Sequence, residues 1–239
     1  MTNVVISGYY GFANAGDEAM LTAIIDSLRE TIPDVSITVI TGNCERTRSY
    51  HDVKTVHRFN LPGIYQALGT SQLLISGGGS LLQDVTSSRS IYYYLLIIKM
   101  AQWRHVPVML YAQAIGPVIR PRARRAVQKV LQNVAMIGVR DSESKEELER
   151  LGVTAPPIHV TADAVLSMHR VDKKIGYYLL KKHGIDGIGL RIGIAIRNWQ
   201  SMTHYKEEIA KAADQLSEKF DSRIIFIPMQ YPQDAEAGK

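Results

Sequence analysis

The chain holds 239 residues, 46% of them apolar, with a net charge of +5 at neutral pH. This is material for a real core and for one large domain or one and a half. A lone cysteine, Cys44, excludes an internal disulfide and a thiolate-built metal cluster and suits a reducing, cytoplasmic compartment.

The first expected strand, residues 4–6, follows the N-terminus directly. No charged leader, apolar stretch and small-residue cleavage site precede it, so no signal peptide is expected. The loop at residues 8–18 opens a helix expected over 18–31. It stands where a dinucleotide fingerprint would, but its glycines, Gly8, Gly11 and Gly16, miss the G-x-G-x-x-G spacing. Asp17 and Glu18 would also repel a pyrophosphate docked there. Carboxylates at a helix start suit the helix dipole and can accept hydrogen bonds from sugar hydroxyls. Equally, Asp17 can be the helix cap and nothing more.

Strands at 37–40 and 73–75 come next, and the second runs into Gly77-Gly78-Gly79-Ser80-Leu81-Leu82-Gln83-Asp84. Three successive glycines open backbone conformations closed to other residues and let a ligand approach the amides, as an anion does at a helix N-terminus. The alternative is a tight strand-to-helix turn, but turns seldom need three glycines. A helix is expected over 91–104. The apolar stretch 91–108 is broken by Lys99, Gln102, Arg104 and His105, and fails as a membrane span.

A strand at 106–110 leads to Tyr111-Ala112-Gln113-Ala114-Ile115-Gly116-Pro117. Here Gln113 offers a donor and acceptors, and Gly116-Pro117 turns the chain. A helix over 122–133 opens with four cations in residues 120–125. The dipole disfavours cations at that end, so either an external anion such as a membrane surface compensates them or they form a solvated face. No nucleic-acid motif accompanies them. A strand at 136–139 ends in Arg140-Asp141, ahead of a helix over 142–151. A guanidinium there can grip a carboxylate or phosphate bidentately, or pair with Asp141 or Asp17. Asp163 ends one more short strand.

Apolar strands alternating with helices over about 160 residues indicate a doubly wound parallel α/β domain. Its five loops then gather along the carboxyl edge, where such sheets bind ligands. A second unit is expected from a connecting helix at 173–183, a loop at 184–189, a strand at 191–196, a helix at 205–220 and a strand at 223–227. A complete second domain needs about 100–150 residues, so the chain is expected to stop inside it.

Together, Gly8-Tyr9-Tyr10-Gly11-Phe12 with Asn14-x-Gly16-Asp17-Glu18, then Gly77-Gly78-Gly79-Ser80-x-x-Gln83-Asp84, Gln113-x-Ile115-Gly116-Pro117, Val139-Arg140-Asp141 and Asp163 resemble the polysaccharide pyruvyl transferase family. The match is closest to its bacterial branch tied to S-layer and other cell-surface protein anchoring. The resemblance implies a GT-B-like fold: a Rossmann-like domain over 1–172, a linker helix and loop over 173–189, and the start of a second Rossmann-like domain over 190–239. It implies phosphoenolpyruvate as co-substrate, with no cofactor and no metal. The implied acceptor is a lipid-linked amino sugar, N-acetylmannosamine of a secondary cell-wall polysaccharide precursor, which becomes a pyruvate ketal as phosphate leaves. The implied location is the cytoplasm, peripheral on the inner face of the cell membrane.

Arg140 matches the family's anion-gripping arginine, and Asp17 is the candidate to orient or deprotonate an acceptor hydroxyl. Substrate binding is expected from Gly11, Asn14, Gly16, Glu18, Gly77, Gly78, Gly79, Ser80, Gln83, Asp84, Gln113, Gly116, Asp141 and Asp163. The family's histidine is expected beyond this stretch of chain, so the chain alone is expected to be inactive. None of the seven histidines present follows a glycine-rich strand end. Two other readings compete: a GT-B glycosyltransferase that uses a sugar nucleotide, and a non-catalytic sugar- or anion-binding module.

Overall fold

The computed structural model describes residues 1–185, 189–198 and 204–238. Within the loop expected at 184–189, residues 186–188 lie outside them, as do residues 199–203 and Lys239. The chain divides into two compact units, Met1–Met168 and His169–Lys239.

The first unit runs β1 (Thr2–Ser7), α1 (Ala15–Thr31), β2 (Val35–Thr41), α2 (Cys44–Tyr50), β3 (Lys54–His57), α3 (Leu61–Gly69) and β4 (Leu73–Gly77). It continues with α4 (Ser90–Trp103), β5 (Val108–Gln113), α5 (Pro121–Leu131), β6 (Met136–Val139), α6 (Ser142–Arg150), β7 (Ile158–Val160) and a 3-10 turn at Ala164–Ser167. The seven strands form one sheet in the order β3-β2-β1-β4-β5-β6-β7. Every pairing is parallel.

All but one of the strands read from sequence in this unit are inner ones; the exception is the short strand ahead of Asp163, β7, which lies at an edge. β1, β2, β4 and β5 are buried on both faces, which is why their apolar runs are continuous. β3 was not expected. It is an edge strand with exposed Lys54 and His57, so no apolar run announces it. α2 and α3 were missed with it. α2 buries only Thr47 and α3 only Ile64 and Leu68, too few to set a helical period.

Each face of the sheet has its own core. On one, Ile64 and Leu68 of α3, Ile91, Leu95 and Ile98 of α4, Val127 of α5 and Leu148 of α6 close over the strands. On the other, Leu21, Ala23, Ile24, Ile25 and Leu28 of α1 pack with Ala164. Each Leu or Ile so buried contributes about 1.5–3 kcal/mol relative to exposure.

The second unit holds α7 (Lys173–Lys182), β8 (Arg191–Ile194), α8 (His204–Phe220), β9 (Arg223–Phe226) and α9 (Gln233–Ala237). β8 and β9 pair in parallel, from Arg191 opposite Arg223 to Ile194 opposite Phe226, so β8-α8-β9 is a crossover unit. α7 buries none of its residues. Among the described residues, no helix is long and apolar enough to cross a membrane.

Candidate active site at the carboxyl edge of the sheet

From β1 the chain winds outward through β2 and β3, then returns to β4 and winds the other way. The reversal leaves a crevice beyond the carboxyl ends of β1 and β4, the place where open α/β sheets take ligands. The loops after β1, β4, β5, β6 and β7 all leave from this edge, and together with the ends of β4 and β5 and the first turn of α1 they carry every expected site residue.

The loop after β1 is held by its own side chains. Asn14, not Asp17, is the cap of α1: its Oδ1 accepts from the amides of Gly16 at 3.0 Å and Asp17 at 3.3 Å. Asp17 and Glu18 lie in the first turn, where the dipole favours them. Glu18 turns back so that its Oε1 accepts from the Gly11 amide at 2.8 Å. Tyr10 is fully buried and donates its hydroxyl to the Gly77 carbonyl at 2.6 Å, tying this loop to the next. Burial pushes the Tyr10 phenol well up, and the nearby Asp17, Tyr94 and Glu18 push it further, so it stays a donor.

The loop after β4 departs from expectation. No helix begins at the glycines: α4 starts at Ser90, so this loop supplies no helix N-terminus of its own for an anion to use. The amides are engaged as well, Gly78 with the Tyr111 carbonyl at 3.3 Å and Gly79 with Met20 Sδ at 3.1 Å. The glycines serve conformation and close approach. Gly78 and Gly79 have φ of +76° and +64°, and a Cβ on Gly79 would stand 3.1 Å from Asp17 Oδ1. Asp17 and Gly79 therefore face each other across the switch point.

Beyond the glycines, Gln83 folds onto its own loop, its Oε1 accepting from the amides of Val85 at 2.8 Å and Thr86 at 3.0 Å. Asp84 is buried and accepts from the amides of Ile119 and Arg120, both at 2.8 Å, with the Arg120 guanidinium 3.7 Å away. Burial alone would raise the Asp84 carboxyl. The two backbone donors and Arg120 outweigh it and hold the group below the usual carboxylate range. Asp84 thus pins the β5 loop. Ser80 is exposed and reaches the Gly116 carbonyl at 3.4 Å.

At the end of β5, Gln113 is fully buried. Its Nε2 donates to Ser76 Oγ at 2.9 Å, and its Oε1 has no hydrogen-bond partner among the described residues, a buried acceptor with capacity left over. Gly116, at φ +84°, packs against Glu147, whose Cγ a Cβ there would meet at 2.8 Å. The 116–117 peptide is cis.

The charged centre lies at β6 and β7. Arg140 leaves β6 half-buried. Its Nη1 reaches Asp163 Oδ2 at 3.1 Å and its Nε reaches Asp141 Oδ2 at 3.4 Å. The ion-pair alternative is therefore realised with Asp141 and Asp163 rather than with Asp17. Asp141 also caps α6, accepting from the Ser144 amide at 2.8 Å. Burial raises its carboxyl, but the bonds from Ser144 and Arg140 outweigh that and set it below the usual range. Asp163 caps the 3-10 turn through the Val165 amide at 3.1 Å. Beside the pair is a hollow lined by Tyr111, Ala112, Gly138, Thr161, Asp163 and Leu166. Among the described residues, no three His, Cys, Asp or Glu side chains gather to hold a metal ion.

Three supports of this edge were missed in the sequence: Tyr10, Ser144 and Arg120. Ser144, buried on α6, accepts from the Ile115 amide at 2.9 Å and so ties the β5 loop to the β6 loop. Tyr10 had a signal, since a Cβ on neighbouring Gly8 would meet its ring at 2.3 Å, and Gly8 sits two residues before it. Ser144 and Arg120 had none, because their partners lie 29 and 36 residues away.

The sequence matches the family model described as polysaccharide pyruvyl transferase over residues 14–238. No curated protein matches it in sequence. Among solved structures it is similar to S. aureus MnaA, solved with UDP, at TM-score 0.60 and 14% identity, covering 99% of this chain and 64% of that one. The UDP-GlcNAc 2-epimerase of Neisseria meningitidis bound to UDP-GlcNAc gives 0.54 and 11%, over 100% and 68%. Anabaena Alr3699/HepE in complex with UDP and glucose gives 0.52 and 10%, over 95% and 69%. At such identities the likeness extends to the fold alone. The chain spans less than two thirds of the length of the S. aureus protein. A family model covering nearly every residue, on a doubly wound sheet that gathers all five motifs on one edge, shows that the chain belongs to the polysaccharide pyruvyl transferase family.

Proposed function

We propose that this chain forms part of an enzyme that moves the enolpyruvyl unit of phosphoenolpyruvate onto an amino sugar, N-acetylmannosamine of a lipid-linked cell-wall polysaccharide precursor, closing a pyruvate ketal. The observation that carries the reading is Arg140, half-buried at the carboxyl edge and aimed by two carboxylates, in a chain of this family.

In this reading, a proton added to the methylene carbon of phosphoenolpyruvate leaves an oxocarbenium-like C2. One sugar hydroxyl adds there, and a second then displaces phosphate and closes the ketal. The donor is an anion throughout, and a guanidinium fixed in advance stabilises it without reorganising. Arg140 takes that role by exchanging Asp163 for the incoming carboxylate or phosphate; Asp141 stays bound to α6. Asp17, opposite Gly79 at the switch point, orients an acceptor hydroxyl. The buried acceptor of Gln113 lies on the same edge. No histidine stands in the five loops, so the proton donor is assigned to the family's histidine rather than to any group gathered here.

The test is phosphate release from phosphoenolpyruvate by full-length protein with a lipid-linked or aryl-lipid amino-sugar disaccharide, beside Arg140→Ala. Acceptor-dependent release that the variant loses while staying folded supports the reading. Release of nucleotide from a sugar nucleotide, with none of phosphate from phosphoenolpyruvate, moves the protein to the sugar-nucleotide glycosyltransferases. Binding of sugar or anion with neither release leaves a non-catalytic module.

A further inference from the structure

Charge is distributed unevenly along this chain. Residues 58–134 hold nine Lys and Arg and a single acid, whereas the whole chain carries only +5. The one acid is Asp84, which is buried and bonded to Ile119 and Arg120. These residues supply α3, α4 and α5, which lie side by side on one face of the sheet. The Gln102 amide of α4 donates to the Val130 carbonyl of α5 at 2.8 Å. On its other flank, Tyr93 of α4 donates to the Arg58 carbonyl just ahead of α3 at 3.0 Å.

The outward side of α4 is apolar and aromatic. Tyr92, Leu96, Lys99 and Trp103 recur at i, i+4, i+7 and i+11, a single stripe along the helix. Tyr92 is 42% exposed, Leu96 36% and Trp103 57%. Leu61 and Tyr65 of α3 are exposed beside it, with the Arg104 guanidinium 4.9 Å from the Tyr65 ring. On the other flank, α5 exposes Arg122, Arg125 and Lys129, spaced three and four residues apart on one side of the helix. The acids of α6 pair with Arg124 and Arg150 and leave those three with no carboxylate in ion-pair range among the described residues. Three more exposed apolar residues, Phe59, Val85 and Ile119, lie on the loops leaving β3, β4 and β5, at the site end of the same helices.

We propose that the α3–α4–α5 face is a membrane-docking surface that lies on an anionic lipid bilayer, with the α4 stripe at the acyl boundary and the α5 cations among the headgroups. Aromatic and aliphatic side chains beside unpaired cations are the chemistry of an interfacial helix face. Tyr and Trp suit the headgroup level, where one end of the ring system is wet, and Lys99 can lay its stem along the apolar stripe with its ammonium in water. A nucleic acid would use the cations but has no use for Leu61, Leu96 and the aliphatic loop tips. The surface runs to the carboxyl edge of the sheet, so docking brings the site to the bilayer. It does not depend on which donor the enzyme uses.

The test is co-sedimentation of the full chain with vesicles of phosphatidylcholine alone or with 30% phosphatidylglycerol, beside Arg122→Ser/Arg125→Ser/Lys129→Ser and Leu96→Ser/Trp103→Ser. In a Trp199→Phe background, quenching of Trp103 by brominated lipid reads depth. Binding to anionic vesicles is expected, weakened roughly 100-fold by the triple charge variant at about fivefold per cation. Trp103 is expected to be quenched, and the apolar variant to bind more weakly without loss of fold. Equal binding to neutral and anionic vesicles overturns the proposal, as does anionic binding with Trp103 unquenched. So does a concentration-dependent dimer that covers Trp103 in place of lipid, or a tighter grip on nucleic acid lost with the same three cations.

Discussion

The loops leaving β1 and β4 and those leaving β6 and β7 stand on the same edge of one sheet, yet their polar groups are differently engaged. In the first pair, Asn14, Glu18, Gln83 and Asp84 accept hydrogen bonds from backbone amides, and Tyr10 locks one loop to the other. In the second pair, Asp141 and Asp163 each give one oxygen to a cap and the other to Arg140, whose charge stays half-exposed. Motif residues at strand ends are therefore of two kinds: those that build the loop, and those that the built loop presents. Substitution separates the two, since the first kind changes stability before activity and the second activity before stability.

The largest effect is expected at Arg140. Arg140→Ala removes a preorganised cation from a developing anion, which typically lowers turnover by about 100- to 1,000-fold. Its ion pairs are half-exposed, so the cost in stability stays below about 1 kcal/mol. Steady-state phosphate release and a denaturation curve on the same sample check both. Equal damage to both would place Arg140 among the loop-building residues. Asp163→Asn weakens the competing pair while keeping the turn cap, and is expected to lower the apparent KM for phosphoenolpyruvate.

Asp84 should behave in the opposite way. Asp84→Asn puts an amide donor against one of two backbone donors in a buried site and is expected to cost about 2–3 kcal/mol, seen as a lower denaturation midpoint. The pH dependence has a definite sign. The folded carboxyl lies below its unfolded value, so its stabilisation is present above the unfolded pKa, near 4, and is lost as pH falls through the folded pKa. The gap between wild type and Asp84→Asn should be constant above about pH 5 and narrow below about pH 4. A gap unchanged at low pH would remove Asp84 as the pin.

How far these roles were legible in the sequence follows from the same division. The inner strands and the long helices were legible because burial on both faces leaves unbroken apolar runs, and burial on one leaves a period. The edge strand β3 and the short helices α2 and α3 leave neither. The strand-end loops were legible as a group from their glycines and polar residues. What those residues do was not, because it depends on contacts between distant positions. Asp84 meets residues 35 and 36 positions away, and Arg140 meets Asp163 across 23. The triple glycine misled for a related reason: nothing local says that the next helix waits until Ser90.

Tyr10→Phe tests the lock between the first two loops. It leaves the Gly77 carbonyl buried without its 2.6 Å donor, at an expected cost of about 1–2 kcal/mol. Burial, with help from Asp17, Tyr94 and Glu18, holds the phenol protonated well past its usual range, so this cost should be flat from pH 6 to about 10. A loss of stability in wild type across that range, absent in Tyr10→Phe, would mean the phenol ionises.

The smallest effect sharpens the comparison most, because Asn14 and Asp17 are three residues apart and assigned to opposite kinds. Asn14→Ala removes the acceptor for the Gly16 and Asp17 amides and should lower stability by about 1 kcal/mol, while Asn14→Ser restores most of it. Asp17→Asn leaves that cap in place and faces Gly79 with a neutral amide of the same shape. It should lower acceptor-dependent turnover more than Asn14→Ala does, at a smaller cost in denaturation midpoint. If the order is reversed, with Asn14→Ala the poorer catalyst at matched folded fraction, the loop after β1 presents Asn14 to the substrate and Asp17 belongs with the residues that build the helix.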